Sequence, residues 1–248
     1  MKTRLLPQRI VLPLSILAAF SLALHAYYSL VFSPDDENQG AAVRLLYVHV
    51  PAAWLAYVSF GITTFCSILY LIPKTRNGVY DILAGASARA GVIFCALTLL
   101  LGALWGKPTW GVFWAWDARV TSTAVLLFLY IGYLAIRSLG DSPQGAKRNA
   151  WFALFAFIDV PIVHFSVNWW RTLHQEATVL NEELKAQISG SMAGSLWMGV
   201  VAFSLLYILM VDRQFRRDAY LATQSTSELD SKIESRIKES SVESGATK

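Results

Sequence analysis

Residues 45–72, LLYVHVPAAWLAYVSFGITTFCSILYLI, run without a single Asp, Glu, Lys or Arg. A bilayer's hydrocarbon core takes about 20 helical residues to cross, so this stretch is long enough to span with some tilt. A helix is the expected form, because in lipid every backbone N–H and C=O must be satisfied within its own segment. The alternating pattern of a membrane barrel is absent. One ionisable side chain, His49, stands about one turn inside the start. Such a group is costly at membrane depth and draws a functional reading.

Working outward, windows of the same kind recur at 10–32, 82–105, 120–136, 151–167 and 194–211. The composition agrees: 55% of the residues are hydrophobic and only 15% charged, against about 25% charged in soluble domains. The chain is therefore expected to be all-α and polytopic, with six transmembrane helices in residues 1–212. Beyond them, residues 213–248 turn polar, rich in Ser, Glu and Lys. Such a composition buries no core, so this segment is expected to be a disordered cytoplasmic tail, with a short helix over 227–238 as the alternative.

Lysine and arginine set the orientation. Lys2, Arg4, Arg9, Lys74, Arg76, Arg137, Lys147, Arg148, Arg213, Arg216 and Arg217 flank the spans on one side, which the positive-inside rule assigns to the cytoplasm together with both termini. The first apolar run exceeds the 7 to 15 residues of a secretory signal core and is expected to be retained. The net charge of +4 is read as an insertion signal, with no nucleic-acid partner implied. Cys66 and Cys95 lie inside spans without a CxxC spacing and are expected to act as small buried apolar residues.

Six spans and an inside amino terminus leave outer segments at about 33–44, 106–119 and 168–193. The middle one carries WGVFWAWDARVTS, residues 110–122. Three indoles and a phenyl within seven positions offer π surface for a flat apolar ligand, and Asp117 and Arg119 suit its polar edge. The other two segments carry His49 and His174 close by, and the shared face also offers cations at Arg44, Lys107, Arg119 and Arg171. Each residue also has an ordinary explanation. Tryptophans form interfacial belts, Asp117 can cap the fourth span, and single cations anchor helices at the headgroups. Together they fit a haem, whose ring stacks on aromatics, whose iron takes imidazole and whose propionates pair with arginine or lysine. A quinone or a permease substrate would use part of the same set.

The stretch LWGKPTWGVFWAWDARVTS resembles the tryptophan-rich WWD signature of haem-handling membrane proteins. With YVHVPAAW around His49 and PIVHFSVNWWRTLHQ, which contains His174, the chain resembles the haem exporter protein C family of cytochrome c maturation over about residues 44–211. The resemblance implies a protein of the bacterial inner membrane that holds haem b at the periplasmic face, with the WWD segment in the second periplasmic loop. It implies a lipid-embedded, non-enzymatic scaffold that presents haem to a membrane-anchored haem chaperone, on which the covalent bond forms. Further implied partners are ABC transporter subunits, an ATPase and a membrane subunit, and a small single-span membrane protein. Carried over, Trp110, Trp114, Trp116 and Asp117 form the haem and chaperone platform, His49 and His174 ligate iron or orient the ring, and Arg44 and Arg119 contact the propionates. The rival readings are a relative that delivers haem directly to apocytochrome, a solute or haem permease, and a purely structural subunit.

Overall fold

The computed structural model describes residues 4–140, 142–174 and 190–246. The described residues are mostly helical, joined by short turns and connections, and hold no strand beyond an isolated bridge between Asp36 and Gly40. Seven α-helices follow in order: α1 (Gln8–Tyr27), α2 (Leu46–Leu71), α3 (Gly78–Trp110), α4 (Ala118–Arg137), α5 (Pro143–Phe157), α6 (Asp159–Trp169) and α7 (Gly190–Ala246). A π-helical turn, Tyr28–Phe32, extends α1, and a 3-10 turn, Ala41–Leu45, leads into α2. Among the described residues, six helical segments are long and apolar enough to cross a membrane. Two consecutive helices, α5 and α6, make up the fifth.

That break has a local contributor. Pro161 has no N–H to give to the carbonyl of Phe157, so one helical hydrogen bond is missing where α5 gives way to α6. The consequence is a change of neighbour: α5 packs on α2 and α4, whereas α6 packs mainly on α4.

The tightest seam joins α2 to α3, where small residues let backbones approach. A Cβ on Gly91 would lie 2.5 Å from Phe60 Cε1. Buried hydroxyls stitch the seam, with Ser87 Oγ donating to the Ser59 carbonyl at 2.7 Å and Thr63 Oγ1 to that of Ala84 at 3.2 Å. Ser87 also pairs with the Tyr207 hydroxyl at 2.7 Å, drawing in α7. Further along α7, a Cβ on Gly199 would stand 2.8 Å from the Tyr47 carbonyl. Pro51 leaves that carbonyl without its helical donor, so glycine here lets α7 come close to α2.

Several charges within or beside the apolar windows are matched. Arg89 pairs with Asp218 of α7, and Arg137 grips both carboxylate oxygens of Asp81 at 2.7 Å. Asp212, almost wholly buried, accepts from the Leu6 N–H at 3.0 Å and faces Arg216 Nε at 3.0 Å.

Two expected boundaries move. The sixth helix does not stop near Val211: α7 continues to Ala246, into the segment expected to be a disordered tail. From Val200 to Ser244 there is neither proline nor glycine, and the Lys, Arg, Glu and Ala content there favours helix even without a core. Likewise α3 runs through Pro108 to Trp110 and ends on Gly111, whose φ of 79° is the left-handed conformation that closes helices. The connection to α4 is therefore shorter than the expected 106–119. Of the expected outer segment 168–193, residues 175–189 lie outside the described part.

Candidate functional site

Asp117 is the hinge of the tryptophan stretch. As the residue before α4 it accepts from the Val120 N–H through Oδ1 at 2.9 Å, satisfying one of the helix's orphan donors. Its Oδ2 accepts from the Leu173 N–H at 2.8 Å, 56 residues away. One buried carboxylate thus fastens the segment after α6 to the start of α4. Its neighbour in space is His174, whose Nδ1 stands 3.5 Å from Asp117 Oδ1, an ion-pair distance longer than a good hydrogen bond. Burial acts to raise the Asp117 carboxyl, but the two N–H donors and His174 outweigh it and hold it below its ordinary value. Burial, aided by Arg119, lowers His174 from the usual 6.5, against the pull of Asp117. His174 is accordingly neutral at pH 7, with an imidazole nitrogen able to bind a metal.

Beside this hinge lies a cavity of about 310 Å3, inside the range of about 300 to 1,000 Å3 common for ligand sites. It is walled by α2, α3, α4, α6, α7 and the turn after α3. His49 and His174 both line it. His174 packs edge-to-face on Trp110 with ring centres 4.8 Å apart. His49 packs on Trp105 at 5.8 Å. Gly102 makes room for His49, since a Cβ there would lie 3.2 Å from its Cε1. Nδ1 of His49 has no hydrogen-bond partner among the described residues.

Arg119 supplies the cavity's charge. Its Nη2 donates to the His164 carbonyl at 2.8 Å, tying α4 to α6. Its Nε is buried without a partner, and among the described residues no carboxylate pairs with it. A lining of indoles, imidazoles and one guanidinium without an ion pair among the described residues suits an aromatic anion with a metal at its centre.

The sequence-expected residues divide accordingly. Trp110, Trp114, Arg119, His49 and His174 meet at the cavity. Asp117 stands behind His174 as its support. Trp116 is not a wall residue: it projects with 84% of its surface exposed, edge-to-face on Trp114 at 5.6 Å. Arg44 is also elsewhere, with Nη2 3.1 Å from Asp35 Oδ1 on the 33–44 connection. The acidic run that precedes it in sequence is simply nearer than the cavity. Lys107 turns back on its own helix end, donating to the Gly111 carbonyl at 3.0 Å and lying 5.4 Å from the Phe113 ring centre.

Other walls escaped the sequence reading. Trp54 and Tyr57 on α2, and Trp197 on α7, line the cavity, although an all-apolar helix gives no periodic sign of which face turns inward. His164 lines it too and meets Tyr57 edge-to-face at 6.3 Å. The only available signal was its position one helical turn from the span's end.

A family model described as heme exporter protein C matches residues 2–229. The chain is 37% identical over 201 residues to a heme exporter protein C of Bradyrhizobium diazoefficiens, covering 81% of this chain and 75% of that one. It is 36% identical over 197 residues to the heme exporter protein C of Escherichia coli strain K12, covering 78% and 77%. A cytochrome c biosynthesis ccmC-like mitochondrial protein of Marchantia polymorpha is 34% identical over 209 residues, covering 83% and 88%.

Proposed function

The chain belongs to the heme exporter protein C family, a premise from which we propose that it holds haem b in the cavity beside Asp117 and presents it to a membrane-anchored haem chaperone. The observation that carries this reading is the convergence of His49, His174 and an unpaired Arg119 on one indole-walled cavity. Haem is cargo here, and this chain's work is to bind and orient it.

The two imidazoles approach from different elements, α2 and the segment after α6. They serve as iron ligands or, when the chaperone's own group takes the iron, as the groups that orient the ring. Asp117 fixes the His174 tautomer: facing Nδ1, it favours a proton there and leaves Nε2 as the donor atom. Arg119 receives a propionate, since its Nε and remaining donors lack a carboxylate among the described residues. Arg44, paired with Asp35, is not needed for that role in this arrangement.

Trp116, largely exposed and resting on Trp114, forms the face on which the chaperone docks. The covalent bond forms on that partner, so positioning is the contribution made here. The tryptophan end is periplasmic, the membrane is the bacterial inner membrane, and the complex includes ABC transporter subunits and a small single-span protein. These assignments follow the charge bias of the connections and the family.

The test is co-expression with a haem chaperone. The expected result is a purified assembly with a Soret band and covalent haem on the partner, both lost on replacing Trp114 and Trp116 with leucine. Solute uptake into proteoliposomes without any chaperone would favour a permease instead, and an unpigmented assembly that still forms would favour a structural subunit.

A further inference from the structure

The cavity is not fully enclosed. Two of its wall residues, Trp54 and Trp197, carry exposed surface of 41% and 51%. Trp54 lies eight residues into α2, and Trp197 seven into α7, which places each about 10 to 12 Å along its helix. Both lie inside segments long and apolar enough to cross a membrane. The cavity itself reaches as far as Cys95 on α3 and Leu126 on α4, well inside the spans.

The break in the fifth span explains the opening. Below it, α5 packs on α2. Above it, α6 has its seam with α4, and none comparable with α2 or α7. Two polar ties hold it on that side: Arg119 Nη2 to the His164 carbonyl at 2.8 Å, and the Leu173 N–H to Asp117 Oδ2 at 2.8 Å. Across the gap, Tyr57 and His164 meet only ring edge to ring, with centres 6.3 Å apart. Such an aromatic contact is weak and can part, whereas the ties to α4 are charge-assisted hydrogen bonds.

We propose that this gap, between α6 and the α2–α7 pair, is a lateral portal through which a flat amphiphile passes from the lipid leaflet into the cavity, sliding between the indoles of Trp54 and Trp197. A planar apolar ring with charged edges partitions into the headgroup region. The portal lets it reach the imidazoles without crossing water, its anionic edge drawn toward Arg119. That the amphiphile is haem rests on the function proposed above. The portal itself does not.

The experiment places the full chain in phosphatidylcholine vesicles containing a phosphatidylcholine with a diazirine near the end of one acyl chain. After irradiation, labelled residues are mapped by mass spectrometry. Phe20 and Phe128, 64% and 71% exposed on the helices' outer faces, serve as positive controls. The portal predicts adducts on the inward walls Leu99 and Val120 as well, lost when haem is added while those on Phe20 and Phe128 persist. Labelling confined to outward-facing residues in haem-free protein overturns the portal. The two proposals fail separately: wall adducts in a protein that takes up no haem leave the portal standing and remove haem as its guest. A Soret band without wall adducts keeps the cargo and removes the portal.

Discussion

Replacing Asp117 by asparagine isolates what its charge does. The amide oxygen can still cap Val120 or accept from Leu173, so the start of α4 and the tie to the segment after α6 are largely kept. What disappears is the negative charge 3.5 Å from His174 Nδ1. A carboxylate behind a metal-bound imidazole raises its basicity and fixes its orientation, and removing such a support typically costs about 10- to 100-fold in affinity. Haem titration of the purified Asp117→Asn protein, followed at the Soret band, is expected to show a loss of that size, about 1.4 to 2.7 kcal/mol. Alanine goes further. It removes the acceptor of the Leu173 N–H, at about 1 kcal/mol, and deletes the cap, at about 1 kcal/mol, so the Ala variant should lose heat stability as well as haem. If Asp117→Asn binds haem as tightly as the parent while His174→Ala does not, then the carboxylate does not act through His174 and the derivation given for it is wrong.

Three further outcomes follow from the same geometry. Because burial lowers His174 from 6.5, the fold favours its neutral form. Its contribution is complete above about pH 6.5 and is lost as pH falls through the lowered folded value. Acid titration of the haem complex should therefore show a loss of the Soret band below pH 6.5, and a His174→Gln protein that keeps the same acid step would assign it to another group. Trp110→Ala removes the ring packed on His174 at 4.8 Å and should weaken haem binding, whereas Trp116→Ala, at an exposed site, should spare haem binding and reduce chaperone capture in a pull-down. Gly199→Ala drives a methyl to 2.7 Å from His25 Cε1 and 2.8 Å from the Tyr47 carbonyl. Such overpacking costs about 1 to 3 kcal/mol, visible as a lower aggregation temperature in detergent with no shift in the Soret wavelength of the folded fraction.

The six spans were legible because a run of some 20 apolar residues admits few other structures in a folded chain. The polar members of the candidate site stood out in the sequence. His49 and Arg119 are conspicuous because charge or imidazole near lipid needs a reason, and the tryptophan cluster because of its density. What escaped was side-chain direction. On α2 the residues facing the cavity and those facing lipid are equally apolar, so Trp54 and Tyr57 carried no sign of their role. Arg44 looked equivalent to Arg119 as a cation at a span's edge. Only the folded chain shows one paired with Asp35 and the other without a carboxylate among the described residues. Pro161 is the sequence sign of the break in the fifth span, yet its consequence, α5 and α6 choosing different neighbours, depends on packing between segments distant in sequence. The continuation of α7 past Val211 was missed because low hydrophobicity was read as disorder, although the absence of proline and glycine pointed to helix.

The central claim is that one cavity holds a porphyrin between two imidazoles drawn from α2 and from the segment after α6. Resonance Raman and Soret spectra of haem bound to the purified chain, compared with those of His49→Ala and His174→Ala, test it most directly. The account predicts a six-coordinate spectrum in the parent that becomes five-coordinate or is lost in each variant. An unchanged coordination signature in both variants would contradict it.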